Sequence, residues 1–243
     1  MEDTQDIDAI AMLQDPVRRR LYEYVVAQGR EVGRNEAAEA IGVARTLAAH
    51  HLDKLAGAGL LESGSRRLTG RSGPGAGRPA KVYTRARAER SVSLPARDYR
   101  TAAELLAEAA EQAGLDAGLF AAARRRGEEL RDSAPPCGDL DEAMRTLAAR
   151  GYEPHLEAAE HADHPGHDED AARAEDAANA TPTLRMRNCP FHAVAERFPP
   201  LVCGMNLALL EGLLGADGAV RARMDARPGE CCVVVETSKN NIH

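Results

Sequence analysis

From about Asp6 to Leu61, apolar positions recur at helical spacing, with Leu21, Tyr24 and Val25 on one face of DPVRRRLYEYV. Between Asn35 and Leu61, NEAAEAIGVARTLAAHHLDKLAGAGLL reads as two helices broken at Gly42-Val43. Ala38 lets the two helices cross closely, and Gly42 accepts the positive φ of a tight turn, so the pattern predicts a helix-turn-helix. In the second helix Ala48, Leu52 and Leu55 share an inward face. Arg45, Thr46, His50 and Lys54 then point outward, as in a recognition helix entering a major groove, with Arg45 and Thr46 nearest the bases.

After Leu61 the pattern changes. SGSRRLTGRSGPGAGRPAKVYTRA lies between two apolar ends, Leu60-Leu61 and Val82-Tyr83, which predicts two strands joined by a basic tip, the form of a wing. Arg66, Arg67, Arg71, Arg78 and Lys81 are placed to meet phosphate or enter a minor groove, with an affinity that falls steeply with salt.

Residues 98–131 are rich in Ala, Leu, Glu and Arg and predict a helix pair. Leu140–Arg150 predicts a third helix ending at Gly151, and alternation from Tyr152 a short strand. The acidic stretch at about 158–180 has too few large apolar residues to bury itself and reads as a disordered insertion. The remainder predicts a strand at Thr183–Met186, helices at Pro190–Phe198 and Pro200–Leu214, and strands at Val220–Met224 and Cys231–Glu236. The expected fold is α+β: a winged helix-turn-helix over 1–90, a helical connector and dimerisation region over 91–150, and a small α+β sensor domain over 151–243.

Charge sharpens this division. The chain of 243 residues carries a net charge of -7, yet residues 44–90 hold ten Lys/Arg against three Asp/Glu, whereas residues 91–243 hold sixteen against twenty-six. A cationic patch beside an acidic remainder points to nucleic acid at one end only. Apolar runs too short for a membrane span, with an acidic start at MEDTQDID, lead us to expect a cytoplasmic protein without a membrane partner.

The odd count of five cysteines makes a poor disulfide framework and suits thiol chemistry or metal ligation. Cys189 precedes Pro190, and Cys203 follows Pro199-Pro200, so both are expected at helix starts, where amide donors favour thiolate. Cys231 and Cys232 are expected in a strand with side chains on opposite faces, so that one joins the site and the other packs inside. Cys137, in SAPPCGDL, reads as a linker residue. The histidines of the insertion, His155, His161, His164 and His167, lie among carboxylates that suit weak binding of a borderline metal, and a solvated loop is the expectation.

Two resemblances follow from these residues. DPVRRRLYEYV, the helix-turn-helix and GRPAKVYT resemble the N-terminal domain of ArsR-type winged-helix repressors, over about the first ninety residues. That resemblance implies homodimers on palindromic double-stranded DNA operators. NCPFHAVAERFPPLVCGMNLALLEGLL with ECCVVV resembles the C-terminal domain of SufR-type regulators, repressors of iron-sulfur cluster assembly genes. It implies an iron-sulfur cluster, 2Fe-2S or 4Fe-4S undecided, on Cys189, Cys203 and Cys231. The fourth ligand is open among His192, taken first, Cys232 and Asp217. The expectation is a transcriptional repressor, not an enzyme. Two alternatives are kept: a zinc or thiol-oxidation switch on the same DNA-binding domain, and an enzyme using a Cys189-His192 pair.

Overall fold

The computed structural model describes residues 2–66, 79–157 and 182–238. Arg67, Arg71, Arg78, His161, His164, His167 and the insertion at about 158–180 lie outside the described residues. The chain divides into two units, Met1–Arg97 and Asp98–His243.

In the first unit, helix α1 (Glu2–Ala11) and a 3-10 turn (Met12–Gln14) lead into α2 (Pro16–Gln28). Asp15 starts α2: its carboxylate accepts the amides of Val17 and Arg18, each at 2.9 Å, and Pro16 needs no amide partner there. The short strand β1 (Val32–Gly33) precedes α3 (Arg34–Ile41) and α4 (Arg45–Gly57), and β2 (Leu61–Arg66) pairs with β3 (Ala80–Arg85). The sheet order is β1-β3-β2, antiparallel throughout, with Tyr83 opposite both Val32 and Ser63. Leu21, Val25, Val32, Ala48, Leu52, Leu55 and Tyr83 form a core in which none is more than 1% exposed.

In the second unit, α5 (Tyr99–Gln112), α6 (Asp116–Arg131) and α7 (Leu140–Ala148) precede a four-stranded antiparallel sheet. Its strands are β4 (Pro154–Glu157), β5 (Thr183–Met186), β6 (Val220–Met224) and β7 (Val233–Thr237), in the order β4-β5-β7-β6. Between β5 and β6 lie α8 (His192–Ala195) and the long apolar α9 (Pro199–Leu214). Helices α6 and α9 cross backbone to backbone at paired glycines. A Cβ on Gly127 would stand 2.1 Å from the Leu209 carbonyl oxygen, and one on Gly212 would stand 2.1 Å from that of Arg124. Residues 98–148, expected as a connector, thus supply helices to the second unit.

Three local expectations are corrected. The helix expected over Pro190–Phe198 is confined to His192–Ala195. The last strand begins at Val233, so Cys231 and Cys232 stand on an irregular approach to it. Cys137 is not a linker residue: it is 4% exposed in the second core, its amide bonds the Leu214 carbonyl at 2.9 Å, and burial raises its thiol pKa. One buried charge was not foreseen. Arg185, 1% exposed on β5, is held by Glu157 at 2.9 Å and Asp225 at 2.6 Å, which compensate its lost hydration.

Candidate nucleic-acid interface and thiol site

The turn between α3 and α4 follows the chemistry of its residues. Gly42 takes φ 71°, the Val43 amide bonds the Ala38 carbonyl at 3.0 Å, and Ala38 is buried where the helices meet. Ala48, Leu52 and Leu55 turn into the core, leaving Arg45, Thr46, His50 and Lys54 exposed along α4. Ala44, which precedes α4, carries no side-chain acceptor, so the first amides of the helix remain available to a phosphate. His51, next to the outward His50, faces inward, and burial lowers its pKa.

A cleft of about 980 Å³ lies between the start of α3, the start of α4 and the wing strands, and Arg34, Arg45, Arg66 and Lys81 line it. Two of these cations are engaged by one carboxylate. Asp53 accepts from Lys81 at 2.7 Å, from Arg34 at 2.8 Å and from the Tyr83 hydroxyl at 2.7 Å. Burial opposes its ionisation, but these three donors prevail and hold the Asp53 carboxyl down at about 2. Burial, followed by the Asp53 bond, pushes the Tyr83 phenol up to about 12. Lys81, expected to be free for phosphate, is therefore partly neutralised within the fold. Arg66 stands 3.4 Å from Glu31 across an exposed contact that water screens. Arg34 was missed by sequence reading, because its place beside the wing follows from β1 pairing with β3 rather than from local spacing.

The second unit gathers four of its five cysteines. Cys189 lies in the turn after β5, Cys203 on α9, and Cys231 and Cys232 on the approach to β7. The Cys231 amide bonds the Met186 carbonyl at 2.9 Å, which anchors that approach beside the turn carrying Cys189. The Cys203 thiol donates to the Cys232 sulfur at 2.8 Å, and Cys189 and Cys231 are joined by a thiol hydrogen bond. Cys231 and Cys232 thus each meet a cysteine from another segment, where one of them was expected to pack apart from the other sulfurs.

A buried amide backs this site. Asn206, 1% exposed and one turn after Cys203, donates to the Cys231 sulfur at 3.4 Å and accepts the Tyr152 hydroxyl at 2.5 Å. The thiolate expectation needs correction. Cys189 is not at a helix start: the Cys231 bond and burial push its thiol up, opposed by the Phe191 amide. Burial, then the Cys232 bond, pushes the Cys203 thiol up to about 12. Cys231 is drawn down to about 7, first by the bond from Cys189 and then, against burial, by the Val233 amide and Asn206.

The ligand candidates separate clearly. The His192 side chain is 65% exposed and faces Glu196 at 3.3 Å. Asp217 is exposed in the turn between α9 and β6. Cys232 supplies the fourth nearby donor. Four thiols with amide N–H donors behind them suit a soft metal or an iron-sulfur group. The sulfurs nevertheless stand as close pairs, and among the described residues no group of three or more His, Cys, Asp or Glu side chains is placed to hold a metal ion.

A family model described as a helix-turn-helix domain matches residues 13–64. No curated protein and no solved structure matches the chain. The matched segment spans α2 through α4 and part of β2, so the model, the turn and the outward face of α4 fall on the same residues. They support a DNA-binding transcriptional regulator. Among the described residues, no helix is long and apolar enough to cross a membrane.

Proposed function

We propose that this regulator is a homodimeric repressor on a palindromic operator, and that an iron-sulfur cluster on its C-terminal cysteines sets its DNA affinity. Cys189, Cys203 and Cys231 are the assigned ligands, and Cys232 replaces His192 as the fourth. The observation that carries this reading is two sulfur pairs, Cys203–Cys232 and Cys189–Cys231, drawn from three separate segments in the chain that also bears the helix-turn-helix. The choice of cluster over another metal, and of iron-sulfur assembly or redox-response genes as targets, rests on the resemblance to SufR-type regulators.

When bound, such a cluster supplies an oxidisable centre that ties its protein ligands together. The chain's own residues do the rest. Asn206 and the Val233 amide would hold a negatively charged Cys231 sulfur, and the Phe191 amide would favour the charged form of Cys189 against its burial. At the other end, Arg45, Thr46, His50 and Lys54 meet the major groove while Arg34, Arg66 and Lys81 meet phosphate. Anaerobic purification with visible absorption and iron and sulfide analysis tests the cluster. A colourless, iron-free protein after reconstitution would sink it, whereas operator binding at controlled salt tests the other half separately.

The paired sulfurs favour a second reading, a zinc or thiol-oxidation switch on the same DNA-binding domain. Stoichiometric zinc without sulfide, or operator binding reversed by a thiol reductant alone, would decide for it.

A further inference from the structure

We infer that Cys203 and Cys232 form a reversible internal disulfide site, closed by a peroxide and reopened by a dithiol. This rests on the reading of the four cysteines as a sensor and names the chemistry of one pair within it. The two sulfurs stand 2.8 Å apart, so a bond of about 2.04 Å requires them to approach by roughly 0.8 Å. The Cys232 backbone is held, its carbonyl accepting from the Asp225 amide at 2.8 Å, so the approach is made by rotation of the two cysteine side chains. Cys203 is 6% exposed, whereas Cys232 is half-buried and is the sulfur an oxidant reaches first.

The other pair is held differently. Cys231 is 2% exposed, its sulfur accepts from Asn206, and its amide is fixed to Met186. A buried carboxamide locked by Tyr152 keeps that sulfur in place. The short Cys203–Cys232 separation is what assigns the bond to that pair, since Cys189 is half-buried as Cys232 is.

The chemistry balances in two steps. The Cys232 sulfur attacks one peroxide oxygen, an S–O bond forms as the O–O bond breaks, and the thiol proton leaves with the other oxygen as water. The Cys203 sulfur then attacks the Cys232 sulfur. An S–S bond forms, the S–O bond breaks, and the hydroxyl departs with the Cys203 proton as a second water. Hydrogen peroxide gains two electrons, and the two thiols lose two electrons and two hydrogens. The closed form retains only Cys189 and Cys231 as thiols at the site, so it is barred from loading a four-sulfur metal group until it is reduced.

The test treats the full-length, metal-free chain with hydrogen peroxide, alkylates it, digests it with trypsin and maps the fragments by mass. The expected product joins the peptide of Cys203 to that of Cys231 and Cys232, two hydrogens lighter than their sum and separated again by dithiothreitol. Tandem fragmentation assigns the bond to Cys232 in the unmodified sequence. Cys231→Ser retains the link, and Cys232→Ser abolishes it. A bond through Cys189 or Cys231, a bond between two chains, or overoxidation of Cys232 without a bond overturns the proposal. The mapping uses no iron, so its failure is distinct from a failure of reduced protein to load a cluster.

Discussion

The helix-turn-helix and the thiol site are assembled over different distances along the chain. Gly42, Ala38 and the inward face of α4 lie within one short segment, and each acts on its near neighbours. Cys189, Cys203 and Cys231-Cys232 belong to a turn, a helix and an irregular segment, brought together by β5 pairing with β7 and by α9. The contrast extends to the polar groups. In the first unit one exposed carboxylate collects cations that water can also serve, whereas in the second Cys231, Asn206 and Tyr152 depend on one another away from water. A site built from neighbours tolerates distant change, and a site built from three segments depends on packing throughout its unit.

That comparison can be broken at its strongest point by core truncation. Leu52→Ala removes a fully buried side chain under the recognition face and should destabilise the first unit by roughly 2–5 kcal/mol. Calorimetry should show its transition lowered and operator binding weakened, while the alkylation rates of the C-terminal thiols stay unchanged. Altered thiol reactivity in this variant would show that the thiol site depends on the first unit.

The converse change is Gly212→Ala, whose added Cβ meets the Arg124 carbonyl and forces α6 from α9. Its expected cost is about 3 kcal/mol, confined to the second unit. Urea unfolding followed through both units should move only the second transition. A normal second transition would remove the backbone crossing from the account.

Arg45→Ala acts on the surface and should leave stability within about 0.5 kcal/mol. Operator affinity should fall by roughly 1–3 kcal/mol if Arg45 reads a base, with sequence discrimination relaxed at one position. Uniform weakening across sequences, with a salt slope reduced by about one, would move Arg45 to the phosphate contacts.

Asp53→Asn is the smallest and the most discriminating. The folded carboxyl titrates at about 2, below its ordinary 3.8, so its stabilisation is complete above about pH 4 and is lost as pH falls through the folded value. The variant should lose that acid-dependent component in thermal melts between those limits. Near neutral pH it should bind DNA a few-fold more tightly, since Arg34 and Lys81 no longer share a carboxylate. Weaker binding would mean that Asp53 orients these cations for phosphate instead of neutralising them.

How much was legible in the sequence follows from the same distances. The turn at Gly42, the inward Ala48, Leu52 and Leu55, and the wing strands around Leu61 and Val82 followed from spacing, because helical and strand periods act over a few residues. The four β-strands and α9 of the second unit were also legible, within a residue or two at most ends. The exposure of His192 and the place of Cys232 beside Cys203 were not legible, because exposure and the start of a strand cannot be read from a period. Arg34 and Asp53 gave no sign of sharing a bond, since forty-nine residues separate Arg34 from the Tyr83 that both of them touch.

By itself, then, the sequence determined the helices and their faces, the turn between α3 and α4, the cationic stretch and the presence of thiols near the C-terminus. Those properties arise from side-chain periodicity, glycine φ and charge, all carried by neighbouring residues. The tertiary structure alone decided that Cys232 stands beside Cys203, that Asn206 and Tyr152 back Cys231, and that Asp53 restrains Lys81. Each of those contacts forms only when segments distant in the chain meet, and burial then sets which proton is held and which charge stays free.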